Sequence, residues 1–122
     1  MQRELAVSVD WLWERIKEGE PLFFIELHHP GDVDLSVHKV RGALVANFDD
    51  VLRHLPELPR DRLVVICTTV PGDEPALELA LRLKDAGIEA RALTGGVLEY
   101  LKAGLPAEER RAAREMTRNR GL

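Results

Sequence analysis

Cysteine is almost absent from this chain: Cys67 is the only one in 122 residues. That excludes an internal disulfide framework and a cysteine-rich zinc site. Long apolar runs are missing too. No stretch approaches 18 apolar residues, so no membrane-spanning helix is expected. The opening Met1-Gln2-Arg3-Glu4 has no signal-peptide pattern, and the expected location is the cytoplasm. A net charge of -4 argues against a general nucleic-acid binder. Asn and Gln total three, and Arg outnumbers Lys by thirteen to four. That composition leans toward a heat-adapted source and says nothing about function.

What is present fits one domain with an ordinary core, 45% hydrophobic and 31% charged, without repeats or low-complexity tracts. Ser8 reads as an N-cap with Asp10 in the first turn and Val7 with Leu12 as a staple, opening a helix that Gly19 ends. Leu22-Phe23-Phe24-Ile25 reads as a strand buried on both faces, running on into Glu26-Leu27-His28-His29. Residues 31–39 read as a loop, residues 42–46 as a short strand and residues 49–55 as a short helix closed off by Pro56 and Pro59. Leu63-Val64-Val65-Ile66 is a second buried strand, ending at Cys67.

Beyond it, Pro75 marks a first helical position, and Leu77, Ala80, Leu81 and Lys84 follow at helical spacing before Gly87. Leu79 and Leu83 add a second stripe, which predicts a helix covered on much of its circumference. Residues 89–93 read as a last strand and 97–103 as a helix stopped by Gly104 and Pro106. Residues 107–122 carry five arginines and three glutamates on a helix-compatible, nearly core-free sequence, read as a solvated or frayed terminal helix. Trp11 and Trp13 stand two apart, so only one can face the core and the other covers a loop or lies at the surface.

Alternating strands and helices imply an α/β fold with a mostly parallel sheet covered on both faces, whose ligands bind beyond the C-terminal strand ends. Glu26, His28, His29 and Cys67 all gather at such ends. A thiol where a strand gives way to a helix N-terminus sits among backbone N–H groups that favour an anion and can lower its pKa. The alternative is a buried, inert thiol. His28 and His29 read as loop histidines rather than ligands, since no second Cys or carboxylate cluster completes a set; no metal site is expected. A Cys-x5-Arg phosphatase or arsenate reductase is excluded because position 73 is Asp.

Across residues 6 to 106 the order and spacing resemble a single rhodanese-like domain. The resemblance rests on Ser8 opening a first helix, Phe24-Ile25-Glu26-Leu27-His28 where the family has a strand ending Asp-Val-Arg, and Val40-Arg41-Gly42-Ala43 where it has Ile-Pro-Gly-Ala. It continues through Val64-Val65-Ile66-Cys67, Leu83-Lys84-Asp85-Ala86-Gly87, Leu93-Thr94-Gly95-Gly96-Val97 and Ala103-Gly104-Leu105-Pro106. It implies a parallel sheet of about five strands between helices, in a domain spanning 1–106 with an Arg-rich tail over 107–122. It also implies that Cys67 is the catalytic residue, taking a sulfane sulfur from a donor such as thiosulfate and passing it from a persulfide to a thiophile. The loop Thr68, Thr69, Val70, Pro71, Gly72, Asp73 would cradle the sulfur with its amides and the two threonine hydroxyls. Glu26, His28 and His29 would line the pocket.

The chain departs from the family where its chemistry is set. The loop from Cys67 to Glu74 is about three residues longer than usual, holds no Arg or Lys and carries two carboxylates, which disfavours an anionic donor. Glu26 replaces the usual Asp, His28 the Arg two residues on, Lys39 a His and Arg41 a Pro. Two readings follow. In one, the protein is a sulfurtransferase needing no organic cofactor or metal, with a small sulfur donor and a thiophilic acceptor or a protein sulfur carrier as partners. In the other it is a binding, regulatory or sulfide- and redox-sensing module whose thiol titrates at about 8.5.

Overall fold

A computed structural model of the chain describes residues 5–29 and 37–109. The first elements are β1 (Ala6–Val7), α1 (Val9–Lys17), β2 (Leu22–His28) and β3 (His38–Val40). After them come β4 (Leu44–Asn47), α2 (Phe48–Arg53), a 3-10 turn (Leu55–Glu57) and β5 (Leu63–Thr68). The chain closes with α3 (Glu74–Asp85), β6 (Ala90–Leu93), α4 (Gly96–Lys102) and β7 (Ala107–Glu109).

Five strands form one sheet in the order β1-β6-β5-β2-β4, and every pairing in it is parallel. The sheet is therefore all parallel, a stricter arrangement than the mostly parallel one expected. Its central strand, β5, is buried at all six positions, as the run Leu63-Val64-Val65-Ile66 predicts.

Strand alternation divides the core into two layers. Ile25, Leu27, Val64 and Ile66 face α2 and α3, packing on Val51, Ala76, Leu79 and Leu83. Leu63, Val65 and Cys67 face the other way, toward α1 and α4, with Leu12, Val97 and Tyr100. Helix α1 begins as the sequence predicts: the Ser8 hydroxyl accepts from the Trp11 N–H at 3.1 Å, and Val7 and Leu12 are both buried. Trp13 is the exposed tryptophan, while Trp11 packs on the core and carries the Arg15 guanidinium over its ring at 5.0 Å.

The structure corrects several boundaries. Helix α3 is not covered round its circumference: its buried stripe is Ala76, Leu79, Ala80 and Leu83, and Leu81 is exposed. Pro75 stands one residue into the helix rather than at its first position, and Pro56 lies inside the 3-10 turn. Residues 38 and 39, expected in a loop, form β3 together with Val40, and β3 pairs antiparallel with β7. Residues 107–109, assigned by sequence to the helical tail, are therefore strand. The rest of that tail, and residues 31–36 of the expected loop, lie outside the described residues.

Candidate active site

Cys67 is the penultimate residue of β5, one residue before the strand's end. Its side chain is fully enclosed, sharing a layer with Val65, Leu93, Val97 and Tyr100. In the parallel register Cys67 stands beside Glu26 on β2, and register partners project to the same face. Glu26 is itself completely buried. Burial pushes the thiol well above its ordinary pKa, and the Glu26 carboxylate pushes it further the same way. The expectation that helix-terminal amides lower this pKa is therefore reversed, because the sulfur faces an apolar layer and a carboxylate. The shift also carries the thiol beyond the value of about 8.5 expected of a binding module.

Of the three pocket residues expected from sequence, two join the thiol on one face. Glu26 and His28, two apart on β2, face the same side, and Glu26 Oε1 lies 2.9 Å from His28 Nε2. Glu26 Oε2 accepts from the Val40 N–H at 3.2 Å, which fixes β3 against β2. His28 is part-exposed and stands toward the rim of the sheet. His29 follows the end of the strand and is half-buried.

The loop residues are placed, and two of them bond the backbone. The Thr68 hydroxyl donates to the carbonyls of Val70 at 3.2 Å and Gly72 at 3.4 Å. Both the N–H and the hydroxyl of Thr69 donate to the Leu27 carbonyl, at 3.2 and 3.3 Å. These hydroxyls stiffen the turn and tie it to β2. Asp73 precedes α3 without capping it through its side chain. Its carboxylate accepts from the Gly95 N–H at 3.1 and 3.3 Å, linking the loop to the turn before α4. Sequence could not show this bond, since its partners are 22 positions apart.

Glycine is required at Gly96, the first residue of α4. Its φ is +60°, and a Cβ there would lie 2.4 Å from the Thr68 carbonyl oxygen. Helix α4 thus approaches the end of β5 at backbone distance, beside Cys67. From α4, Tyr100 reaches down into the same layer, meets Phe24 edge-on at 5.8 Å and donates to the Pro106 carbonyl at 2.6 Å. Burial and the neighbouring Cys67 push the Tyr100 phenol up, against a smaller opposing pull from Arg41.

Lys39 is buried and engaged. Its Nζ donates to the carbonyls of Val40 at 3.0 Å and Ala43 at 3.1 Å and lies 3.4 Å from Glu108 Oε2. Among the described residues no group of three or more His, Cys, Asp and Glu is placed to hold a metal, and no helix is long and apolar enough to cross a membrane. A groove of about 500 Å³ runs along the edge strand β4 between Phe23, Leu44, Val45 and Leu58, and Cys67 does not line it.

No protein-family model matches the chain, and no curated protein is similar enough to match it. Solved structures do. The rhodanese-like domain of the Anabaena sp. Alr3790 protein is 25% identical, with 90% of this chain and 83% of that chain covered at a TM-score of 0.63. A rhodanese-related protein from Thermoplasma volcanium is 14% identical, with 84% and 96% covered at a TM-score of 0.67. A rhodanese-like domain protein from Staphylococcus aureus is 16% identical, with 75% and 85% covered at a TM-score of 0.61. The chain has the rhodanese-like fold.

Proposed function

We propose that this rhodanese-like chain is a single-domain sulfurtransferase in which Cys67 carries sulfane sulfur as a persulfide and hands it to a thiophilic acceptor. The observation that carries the reading is the position of the chain's only thiol. It stands near the C-terminal end of the central strand of a parallel sheet, beneath a loop that turns into α3, where such sheets bind ligands. Sulfur transfer needs a thiolate, whereas the resting thiol here is enclosed and held neutral. The loop from Thr68 to Asp73 must therefore open before attack, and ionisation accompanies donor entry. In this reading the loop amides hold the persulfide's charge after transfer.

A second reading rests on that same enclosure: a rhodanese-like module that binds or senses without turnover. Both causes of the thiol's shift, burial and Glu26, oppose a standing nucleophile, and neither is a cation. The two readings separate by intact mass. The protein is incubated with thiosulfate or with a persulfide donor, then with cyanide or dithiothreitol. A single-sulfur adduct that Cys67→Ser abolishes and cyanide removes supports transfer. No adduct from either donor, with the thiol still open to alkylation, rejects it in favour of the module.

A further inference from the structure

Two segments meet at the C-terminal end of the central strand. The loop after β5 is braced at its start, where the Thr68 hydroxyl donates to the carbonyls of Val70 and Gly72 and the Thr69 hydroxyl donates to that of Leu27. At its far end the Asp73 carboxylate accepts from the Gly95 N–H through both oxygens, at 3.1 and 3.3 Å. Gly95 lies in the turn between β6 and α4. The residues on either side of that turn, Leu93 and Val97, are buried in the same layer as Cys67. The start of the turn is tied to β1, since the Thr94 N–H donates to the Val7 carbonyl at 2.8 Å. Its middle is Gly95-Gly96, at φ +85° and +60°, a pair with wide backbone freedom once released. An exposed bond is thus joined through one turn to two of the side chains packed in the layer of a fully enclosed thiol.

We propose that Asp73 is a positioning residue of this site: its bond to the Gly95 N–H clips the β5–α3 loop to the β6–α4 turn, and release of that clip is the opening through which a reagent reaches Cys67. As a step in sulfur transfer this rests on the sulfurtransferase reading above; as a gate on the thiol it does not. No covalent bond is made or broken in the step. The carboxylate exchanges the amide for water, the amide is solvated in turn, and loop and turn part. Water competes for both groups at the surface, so the bond favours the closed state by about fivefold.

Alkylation of Cys67 by iodoacetamide at one pH, followed by intact mass in urea below the unfolding transition, tests this. Release of the clip exposes little surface, so the wild-type rate should hardly change with urea, whereas access through whole-chain unfolding would make it climb with the slope of that transition. Asp73→Ala should raise the rate about fivefold and keep it insensitive to urea. Asp73→Asn, which retains an acceptor oxygen, should stay near wild type, and so should Gly104→Ala, which is destabilised with its clip intact. An Asp73→Ala rate equal to the wild-type rate overturns the proposal, and so does a rise that Gly104→Ala shares. A wild-type rate that climbs with the unfolding slope overturns it whether or not Asp73→Ala folds. If Asp73→Ala alkylates faster while neither thiosulfate nor a persulfide donor places sulfur on Cys67, the gate stands and the sulfurtransferase reading falls.

Discussion

Replacing Gly96 with alanine tests how closely α4 is seated on the end of β5. Two contributions add. A side chain at φ +60° costs about 1–2 kcal/mol in an L-residue. The new Cβ would also meet the Thr68 carbonyl oxygen at 2.4 Å and the Thr68 hydroxyl at 2.7 Å. Main chain in a buried strand yields poorly, so relieving that overlap costs about 1–3 kcal/mol more. The expected loss is about 2–5 kcal/mol. Gly104→Ala supplies the control, since its φ is +79° and a Cβ there meets nothing within 4 Å; it should lose only the conformational part, about 1–2 kcal/mol. Urea denaturation of the two variants beside the wild type, at matched slopes, separates the contributions. A Gly96→Ala midpoint no lower than that of Gly104→Ala would refute the close approach, and with it the account of how this end of the sheet is held.

Stability should also depend on pH through Cys67. Burial and then Glu26 raise its pKa in the folded state, so the contribution is fully present below the unfolded value of about 8.5. As pH rises past that value the unfolded chain ionises first, and stability should fall by about 1.4 kcal/mol per pH unit up to about pH 10, where Tyr100 begins to act in the same direction. Cys67→Ala should remove this slope between pH 8.5 and 10 in pH-stepped urea melts; an unchanged slope counts against the shift. Asp73→Ala, which deletes the acceptor of the Gly95 N–H, should lower stability by about 1 kcal/mol in thermal melts, with Asp73→Asn recovering part of it. Tyr100→Phe should cost about 1 kcal/mol by removing one of two donors to the Pro106 carbonyl, which keeps the Arg41 N–H at 3.2 Å, and an unaltered denaturation midpoint would show the Tyr100 bond to be idle.

Much of the architecture could be read from local signals. The Ser8 cap, the apolar runs at 22–25 and 63–66 and the glycines that close helices act over a few residues, and each lies where the structure has the corresponding element. What escaped depends on partners distant in the chain. β1 has two residues and β3 and β7 three each, too short to display periodicity, and each exists only through its pairing. The position of Cys67 near the end of the central strand was legible because burial and strand length are local. The bond from Asp73 to Gly95 was not, nor was the enclosure of Glu26 beside the thiol, which arises from the register of β2 against β5. The stripe on α3 was misread because Leu77 and Leu81 repeat at helical spacing as well as Leu79 and Leu83 do. Only the sheet decides which pair is covered.

The placement of β1 governs how the chain can fold. Ala6 and Val7 pair with Ala92 and Leu93 and make their ladder with β6. β1 therefore waits for β6, and the chain between them must be made before the sheet acquires that edge. Closing so wide a loop early in folding is entropically unfavourable, which favours assembly of β2, β5 and β6 first and late docking of the N-terminal strand. A nascent chain halted before Leu93 would expose Leu5 and Val7, both buried in the finished fold, and would offer the quality-control machinery an apolar handle.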